Sequence, residues 1–237
     1  MRKDGREDHD FRPVVIQPGY IDNVPGSAMI ELGKTRVICS ATFESRVPHF
    51  LRDSDRGWIA ADYAMLPGST GNRRTQRERD RVNNRNIEIQ RFLGRALRNT
   101  INLKAIKGFT ISVDADVIRA DGSTRCASLN SGMVSLVKCL RYLVFENILA
   151  DMPKIEMIAA VSIGVKGQHI LVDLDYEEDF SVDADINIVS SEKGAIIEVE
   201  AFVEEKPVER EVFLKVVELG IEKNMEIIQI LKKCLDM

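Results

Sequence analysis

Apolar residues alternate with polar ones at Ala28, Ile30 and Leu32, and again at Val37, Cys39, Ala41 and Phe43. Gly33-Lys34 separates the two runs. Period-two alternation across a short glycine-containing break predicts a β-hairpin with one buried face. Residues 47–75 contain Gly57, Pro67, Gly68 and Gly71 and read as irregular. Ile87, Phe92, Leu93, Ala96 and Leu97 recur at mixed three- and four-residue spacing, which predicts a helix over 87–97. Residues 109–118 alternate again, as a strand does, and Asp121-Gly122-Ser123 is a turn signal. A long apolar helix is expected from Thr124 to Leu143 or beyond. Strands follow at 157–165 and 170–174, joined by a turn at 166–169, and then at 186–189 and 195–203. Pro207 is expected to open a last amphipathic helix through about Leu235, since proline suits a first helical turn.

This order implies an α/β (α+β) protein in which mixed β-sheets pack against helices. The chain reads as one domain over 1–237 with two roughly similar halves, about 1–150 and 155–237. Met152-Pro153-Lys154 is the best seam.

At 237 residues, with 44% hydrophobic and 30% charged positions, the chain can bury a sizeable core. No apolar run approaches the ~18–20 residues of a membrane span. Residues 1–10 are charged and lack the apolar stretch of a secretory signal, so a cytoplasmic location with no membrane partner is expected. Cys39, Cys126, Cys139 and Cys234 are scattered and form no CxxC pair. The expectation is reduced, packed thiols rather than zinc or disulfides. His9, His49 and His169 have no ligand spacing. No P-loop, GxGxxG or nucleophile elbow is present, which argues against an NTPase, a dinucleotide enzyme or a serine hydrolase. Trp58 reads as core, and Phe50 fits either core or an RNA platform.

Net charge is −4, so attraction to nucleic acid must come from local segregation. Residues 73–98 supply it, with nine arginines against three acids. The first half of that stretch is nearly free of apolar residues and reads as a loop or exposed arm. Arg73, Arg74 and Arg77 are candidates for salt-dependent RNA contact, although a charge run is more commonly a solvated face.

Two further constellations carry chemistry. In the first, a strand ends, Asp121-Gly122 turns, and a helix starts with Ser123, Thr124 and Arg125. Unpaired N–H groups and the positive end of a helix favour an anion, and arginine forks suit phosphate oxygens. Arg85 joins these as a phosphate candidate. On spacing alone, the plainer reading is a Ser or Thr helix cap with a solvated Arg125. The second is an acidic run, with seven Asp or Glu among residues 173–185 and no base. Carboxylates can hold Mg²⁺ or donate a proton in phosphoryl transfer. Most of the run reads as a solvated loop. Asp185 differs, because it lies in an alternating pattern where one carboxylate can face a cleft.

Several long motifs resemble the RNase PH family of phosphorolytic exoribonucleases, nearly end to end. They are Arg2-Lys3-Asp4-Gly5-Arg6 with Arg12-Pro13, residues 57–67, Glu88-Ile89-Gln90-Arg91 with Gly94-Arg95-Ala96-Leu97-Arg98, residues 121–125, and residues 173–187. The resemblance implies the ribosomal protein S5 domain 2-like fold shared with polynucleotide phosphorylase and the exosome core. It implies a phosphate site at Arg85, Ser123, Thr124 and Arg125. It makes Asp179 and Asp185 catalytic or metal-binding, with Mg²⁺ or Mn²⁺ as cofactor and inorganic phosphate as co-substrate. It also implies a homohexameric ring, a trimer of dimers, acting on tRNA 3′ ends and on rRNA as a tRNA nucleotidyltransferase, with the basic arm gripping tRNA. A noncatalytic RNA-binding subunit of an exosome-like ring and a hydrolytic exonuclease are the rival readings. Two departures stand out. Ser123 replaces the second glycine of the family's Gly-Gly-Thr-Arg-Thr, and Gly68 replaces an arginine after Leu-Pro.

Overall fold

The computed structural model describes residues 2–71, 84–203 and 206–237. Two sheets are built in chain order, with a helix held between them. The first sheet contains β1 (Val14–Pro18), β2 (Gly26–Leu32), β3 (Thr35–Glu44), β4 (Trp58–Met65) and β5 (Thr110–Arg119), in the order β1-β2-β3-β5-β4. All neighbours are antiparallel except β4, which runs parallel to β5. The second sheet has the order β7-β6-β8-β9, from β6 (Ile158–Lys166), β7 (His169–Val172), β8 (Ala184–Ser191) and β9 (Ile196–Val203). The helices are α1 (Asn84–Arg98), α2 (Thr124–Phe145), the single turn α3 (Tyr176–Asp179), and α4 (Arg210–Cys234).

The hairpin, the long helix and the strands of the second sheet lie where periodicity puts them. Three elements do not. β4 falls inside the stretch read as irregular. Its inward residues Ile59, Ala61 and Tyr63 are buried, but alanines at 60, 61 and 64 blur the alternation. β1 is a short edge strand ended by a proline. α3 is too short for any period to show. The last helix also starts later than expected: Glu209 is its N-cap and Pro207 lies before it.

α2 organises the core. It packs on β2, β3 and β5 of one sheet and on β6 of the other, so it is buried on nearly every face. Its polar residues are buried too, and most are tied to strand backbone. Asn130 donates to the Ala160 carbonyl at 3.0 Å and accepts from the Ala160 N–H at 2.9 Å. Ser131 donates to the Ala28 carbonyl at 3.0 Å, and Ser135 to the Cys39 carbonyl at 3.1 Å. At Gly26 the β2 backbone meets the helix so closely that a Cβ would lie 2.1 Å from the Ser135 oxygen. The resulting apolar core is continuous from Ile30, Val37 and Ile111 through Leu129 and Leu136 to Met157, Ile158 and Ile228.

The acidic run corrects the sequence reading most sharply. Asp173 is 1% exposed rather than solvated. Its carboxylate receives Arg12 Nη2 at 2.6 Å, Arg12 Nε at 2.8 Å and the Arg12 main-chain N–H at 2.9 Å. Asp175 and Glu178 form a capping box on α3, each side chain accepting from the other's N–H. Glu178 also pairs with Arg2 at 2.6 Å. The N-terminal arginines therefore fasten this loop to the first sheet.

Removing one partner of a buried ion pair strands the other. Asp173→Ala should lower the unfolding free energy by about 3–5 kcal/mol, and Arg12→Met with Asp173→Leu together should recover much of that loss. Urea unfolding at fixed protein concentration measures both. A cost below ~1 kcal/mol for the single variant would contradict this account.

Candidate functional site

Where β5 ends and α2 begins, the chain must reverse tightly against the loop that follows β7. Gly122 makes this turn at φ +77°, and a Cβ there would lie 2.2 Å from the Leu174 carbonyl oxygen. No side chain fits, which is a direct physical reason for glycine. Ser123 follows at φ +52°, also left-handed, a conformation costing a serine roughly 1 kcal/mol or more.

Its hydroxyl holds the strained turn in place. It lies 2.6 Å from Ser162 Oγ, 3.0 Å from the Leu174 carbonyl and 3.1 Å from Asp173 Oδ1. Thr35 adds a second clasp, accepting from the Asp121 N–H at 2.9 Å and donating to the Gly122 carbonyl at 2.7 Å. Arg12 adds a third through the Asp121 carbonyl. The Ser123 hydroxyl is thus committed inward, and the residue's main chain is what it offers an anion. Ser123 makes no side-chain cap to the helix either.

The turn forms one wall of an open cleft of about 1030 Å³. Arg85, Ser123, Thr124, Arg125, Asp179 and Asp185 all line it. Six sequence candidates from three separate segments therefore share one space. Arg73, Arg74 and Arg77 lie outside the described residues.

Arg125 is not the solvated cation that spacing alone suggests. Its guanidinium is largely buried and pairs with Glu200 and with Glu88, the latter at 3.1 Å. It also lies 5.1 Å from the Phe202 ring centroid. These carboxylates balance a positive charge that would otherwise oppose the helix dipole. Thr124 is buried and its Oγ1 accepts from the Tyr63 hydroxyl at 3.0 Å. Cys126 packs beneath it and donates to Asn187 Oδ1 at 3.2 Å. Burial raises this thiol well above its ordinary pKa, so it is a packing residue, not a nucleophile.

Asp185 stands on β8 and lines the same cleft. Burial pushes its carboxyl up from 3.8 to about 6, and the neighbouring charge of Asp179 pushes the same way. A bond from Asn187 and the charges of Arg125 and Arg85 act against the rise. Asp185 Oδ2 accepts from Asn187 Nδ2 at 3.1 Å, while the buried Oδ1 has no hydrogen-bond partner among the described residues. Such an oxygen beside a second carboxylate is a fitting place for a hard cation. Mg²⁺ commonly takes only one or two protein carboxylates and completes its shell with water and substrate phosphate. Among the described residues, no group of three or more His, Cys, Asp or Glu side chains could hold a metal by itself.

The sequence reading missed Lys34 and Arg119, two more cations lining the cleft, and exposed Tyr176 beside Asp179. It also missed Tyr63, Ser162 and Thr35, which support the turn. Lys34 sits in the hairpin turn and Tyr176 within the acidic run, but only the three-dimensional arrangement brings these residues to the cleft and its turn. Phe50, which fitted two readings, is 68% exposed. It meets Trp58 edge to face at 5.3 Å, and Arg98 covers the half-buried Trp58 ring at 4.3 Å.

Comparison with known proteins agrees with the geometry. Residues 10–140 match the model of the 3′ exoribonuclease family, domain 1, and residues 156–223 match domain 2. Ribonuclease PH of Corynebacterium kroppenstedtii is 39% identical over 236 residues, covering 99% of this chain and 93% of that one. Ribonuclease PH of Exiguobacterium sibiricum is 43% identical over 228 residues, covering 95% and 90%. Among solved structures, rice (Oryza sativa) Rrp46 superposes with a TM-score of 0.80 at 18% identity, covering 99% of this chain and all of that one. An archaeal exosome core gives 0.79 at 21% identity, covering 98% and 91%. The structures establish the fold, and the sequence relatives establish the lineage: the chain belongs to the RNase PH family of 3′ exoribonucleases.

Proposed function

We propose that the wall formed by Arg85, Thr124, Arg125 and the main chain at Ser123 holds inorganic phosphate, and that this phosphate attacks the last phosphodiester of an RNA. The enzyme is a phosphorolytic 3′-to-5′ exoribonuclease. One observation carries the site assignment: a strained, triple-clasped turn at the start of a 22-residue helix opens into the same cleft as Arg85 and the Asp179–Asp185 pair. Helix N–H groups and guanidinium forks neutralise the attacking anion and fix its direction. Holding two anions in line is most of what phosphoryl transfer requires of a protein.

A phosphate oxygen forms a bond to the terminal phosphorus as the bond from that phosphorus to the preceding 3′-oxygen breaks. The proton carried by hydrogen phosphate ends on the 3′-oxygen. The products are a nucleoside diphosphate and an RNA shorter by one nucleotide. An anhydride link replaces an ester link, so nucleotide addition from diphosphates runs as the reverse reaction. Asp179 and Asp185 would hold Mg²⁺ or Mn²⁺, which would offset charge on the scissile phosphate. Arg73, Arg74 and Arg77 grip the RNA body, with tRNA 3′ ends and rRNA as substrates. The working form is a homohexameric ring, a trimer of dimers, and four unpaired cysteines suit a cytoplasmic setting. Relatives named ribonuclease PH and the fold of exosome subunits support this reading.

Incubation of a 3′-tailed RNA with Mg²⁺, with and without phosphate, tests it. Diphosphate products that require phosphate are expected. Monophosphates would mean hydrolysis, and intact RNA would mean a noncatalytic ring subunit. Arg85→Ala should lose phosphorolysis at low phosphate while keeping most RNA binding, and normal turnover there would remove Arg85 from the site.

The basic arm gives a separate prediction. Replacing Arg73, Arg74 and Arg77 with Ala should weaken RNA binding and reduce the slope of log affinity against log salt by about two. An unchanged slope would put the RNA path elsewhere.

Asp185 gives a prediction in stability. Its folded pKa lies above its unfolded value, so its favourable contribution is present at low pH and is lost as pH rises from about 4 to about 6. Asp185→Asn without metal should therefore stabilise the protein at pH 8 by up to about 3 kcal/mol, a gain that shrinks toward pH 4. Mg²⁺ should raise the Tm of the wild type and leave that of the variant unmoved. Equal Mg²⁺ shifts in both would remove Asp185 from the cation site.

A further inference from the structure

Thr124 belongs to the proposed phosphate wall, and its hydroxyl is directed by a residue from the first sheet. Tyr63 stands on β4, 2% exposed, with its ring in the core. Its one polar atom donates to Thr124 Oγ1 at 3.0 Å, across 61 residues of sequence. A threonine hydroxyl has a single proton and two lone pairs. Tyr63 occupies a lone pair, so the Thr124 proton must point to some other acceptor. Among the described residues, no acceptor receives it. Thr124 is 8% exposed and lines the cleft at the first position of α2, where the helix end and two guanidinium groups favour an anion. Both arginines lie near enough to act on Tyr63: burial raises its phenol pKa while Arg85 and Arg125 pull it down.

Resting on the phosphate-turn reading, we propose that Tyr63 is a positioning residue: by donating to Thr124, it turns the threonine proton into the cleft, toward an oxygen of orthophosphate. Its effect is on the phosphate co-substrate and not on the RNA. The phenol touches neither substrate. A purely structural tether between β4 and α2 would have a different signature, because loosening it would disturb both substrates and the fold together.

The experiment is steady-state phosphorolysis of a 3′-tailed RNA by the full chain as wild type, Tyr63→Phe, Thr124→Val and the double variant. Tyr63→Phe keeps the ring that fills the core. It should raise the phosphate KM about three- to tenfold, the value of one hydrogen bond, while the RNA KM and kcat move much less. The double variant should be no worse than Thr124→Val alone, since Tyr63 acts through Thr124. Phosphate-dependent elevation of Tm, which needs no turnover, should shrink in Tyr63→Phe.

A phosphate KM that moves no more than the RNA KM, or losses that add in the double variant, would overturn the inference. If Thr124→Val raises the phosphate KM and Tyr63→Phe does not, the inference about Tyr63 fails and the phosphate turn stands. If Thr124→Val leaves the phosphate KM unchanged, the phosphate-turn reading itself fails.

Discussion

The buried pairing of Arg12 with Asp173 is the contact on which the site depends. A guanidinium and a carboxylate taken out of water each carry a desolvation cost of several kcal/mol, so neither is tolerated without the other. Arg12 spends its remaining donors on the carbonyls of Asp121 and Leu174. Asp173 spends its remaining capacity on the Ser123 hydroxyl. One ion pair thereby joins three segments: the N-terminal strap, the turn before α2 and the loop after β7. The first sheet delivers the turn, and the second sheet delivers Asp185. Without a rigid connection between them, the turn and Asp185 would have no fixed separation.

The same contact explains how a serine sits where backbone geometry favours glycine. At φ +52° Ser123 is strained, and strain persists only where the surroundings over-determine the conformation. Here a hydroxyl with three oxygens within 3.1 Å does that. A glycine would relax the local torsion but lose the bonds to Ser162, Leu174 and Asp173. The departure from the family's Gly-Gly turn is therefore a local exchange of conformational ease for hydrogen bonding.

Most of the architecture was legible in the sequence because burial imposes a period. Ala28, Ile30 and Leu32 face one way, and Thr124 to Phe145 is apolar nearly all round, so one is a strand and the other an interior helix. β4 escaped because alanine fits either face and leaves no alternation to read. The site was legible in part, where chemistry coincides with a motif: Gly122 through Arg125 announces a turn and a helix start. The fate of the charges was not. Asp173 and Glu178 look like part of a solvated acidic loop in one dimension, and their partners Arg12 and Arg2 are more than 160 residues away. Arg125 looks solvated until Glu88 and Glu200 are folded onto it. Sequence shows which charges exist, and only the fold shows which are already spent.

That distinction decides what the cleft can do. A chain of net charge −4 must bring a free phosphate against an RNA phosphate, two anions that repel. The surplus of acid does not oppose this, because much of it is consumed internally: Asp173 by Arg12, Glu178 by Arg2, Glu200 and Glu88 by Arg125. The cleft itself is lined by both signs of charge. Arg85, the start of α2, Lys34 and Arg119 give positive potential, and Asp179 with Asp185 give a compact negative site. A uniformly basic cleft would bind both anions but would leave a divalent cation no carboxylates to hold it. A uniformly acidic one would exclude the nucleophile. In the proposed reaction, guanidinium groups and the helix start would hold the attacking phosphate, and a cation held by Asp179 and Asp185 would offset charge on the scissile phosphate. Arg125, balanced by Glu88 and Glu200, contributes direction more than net charge.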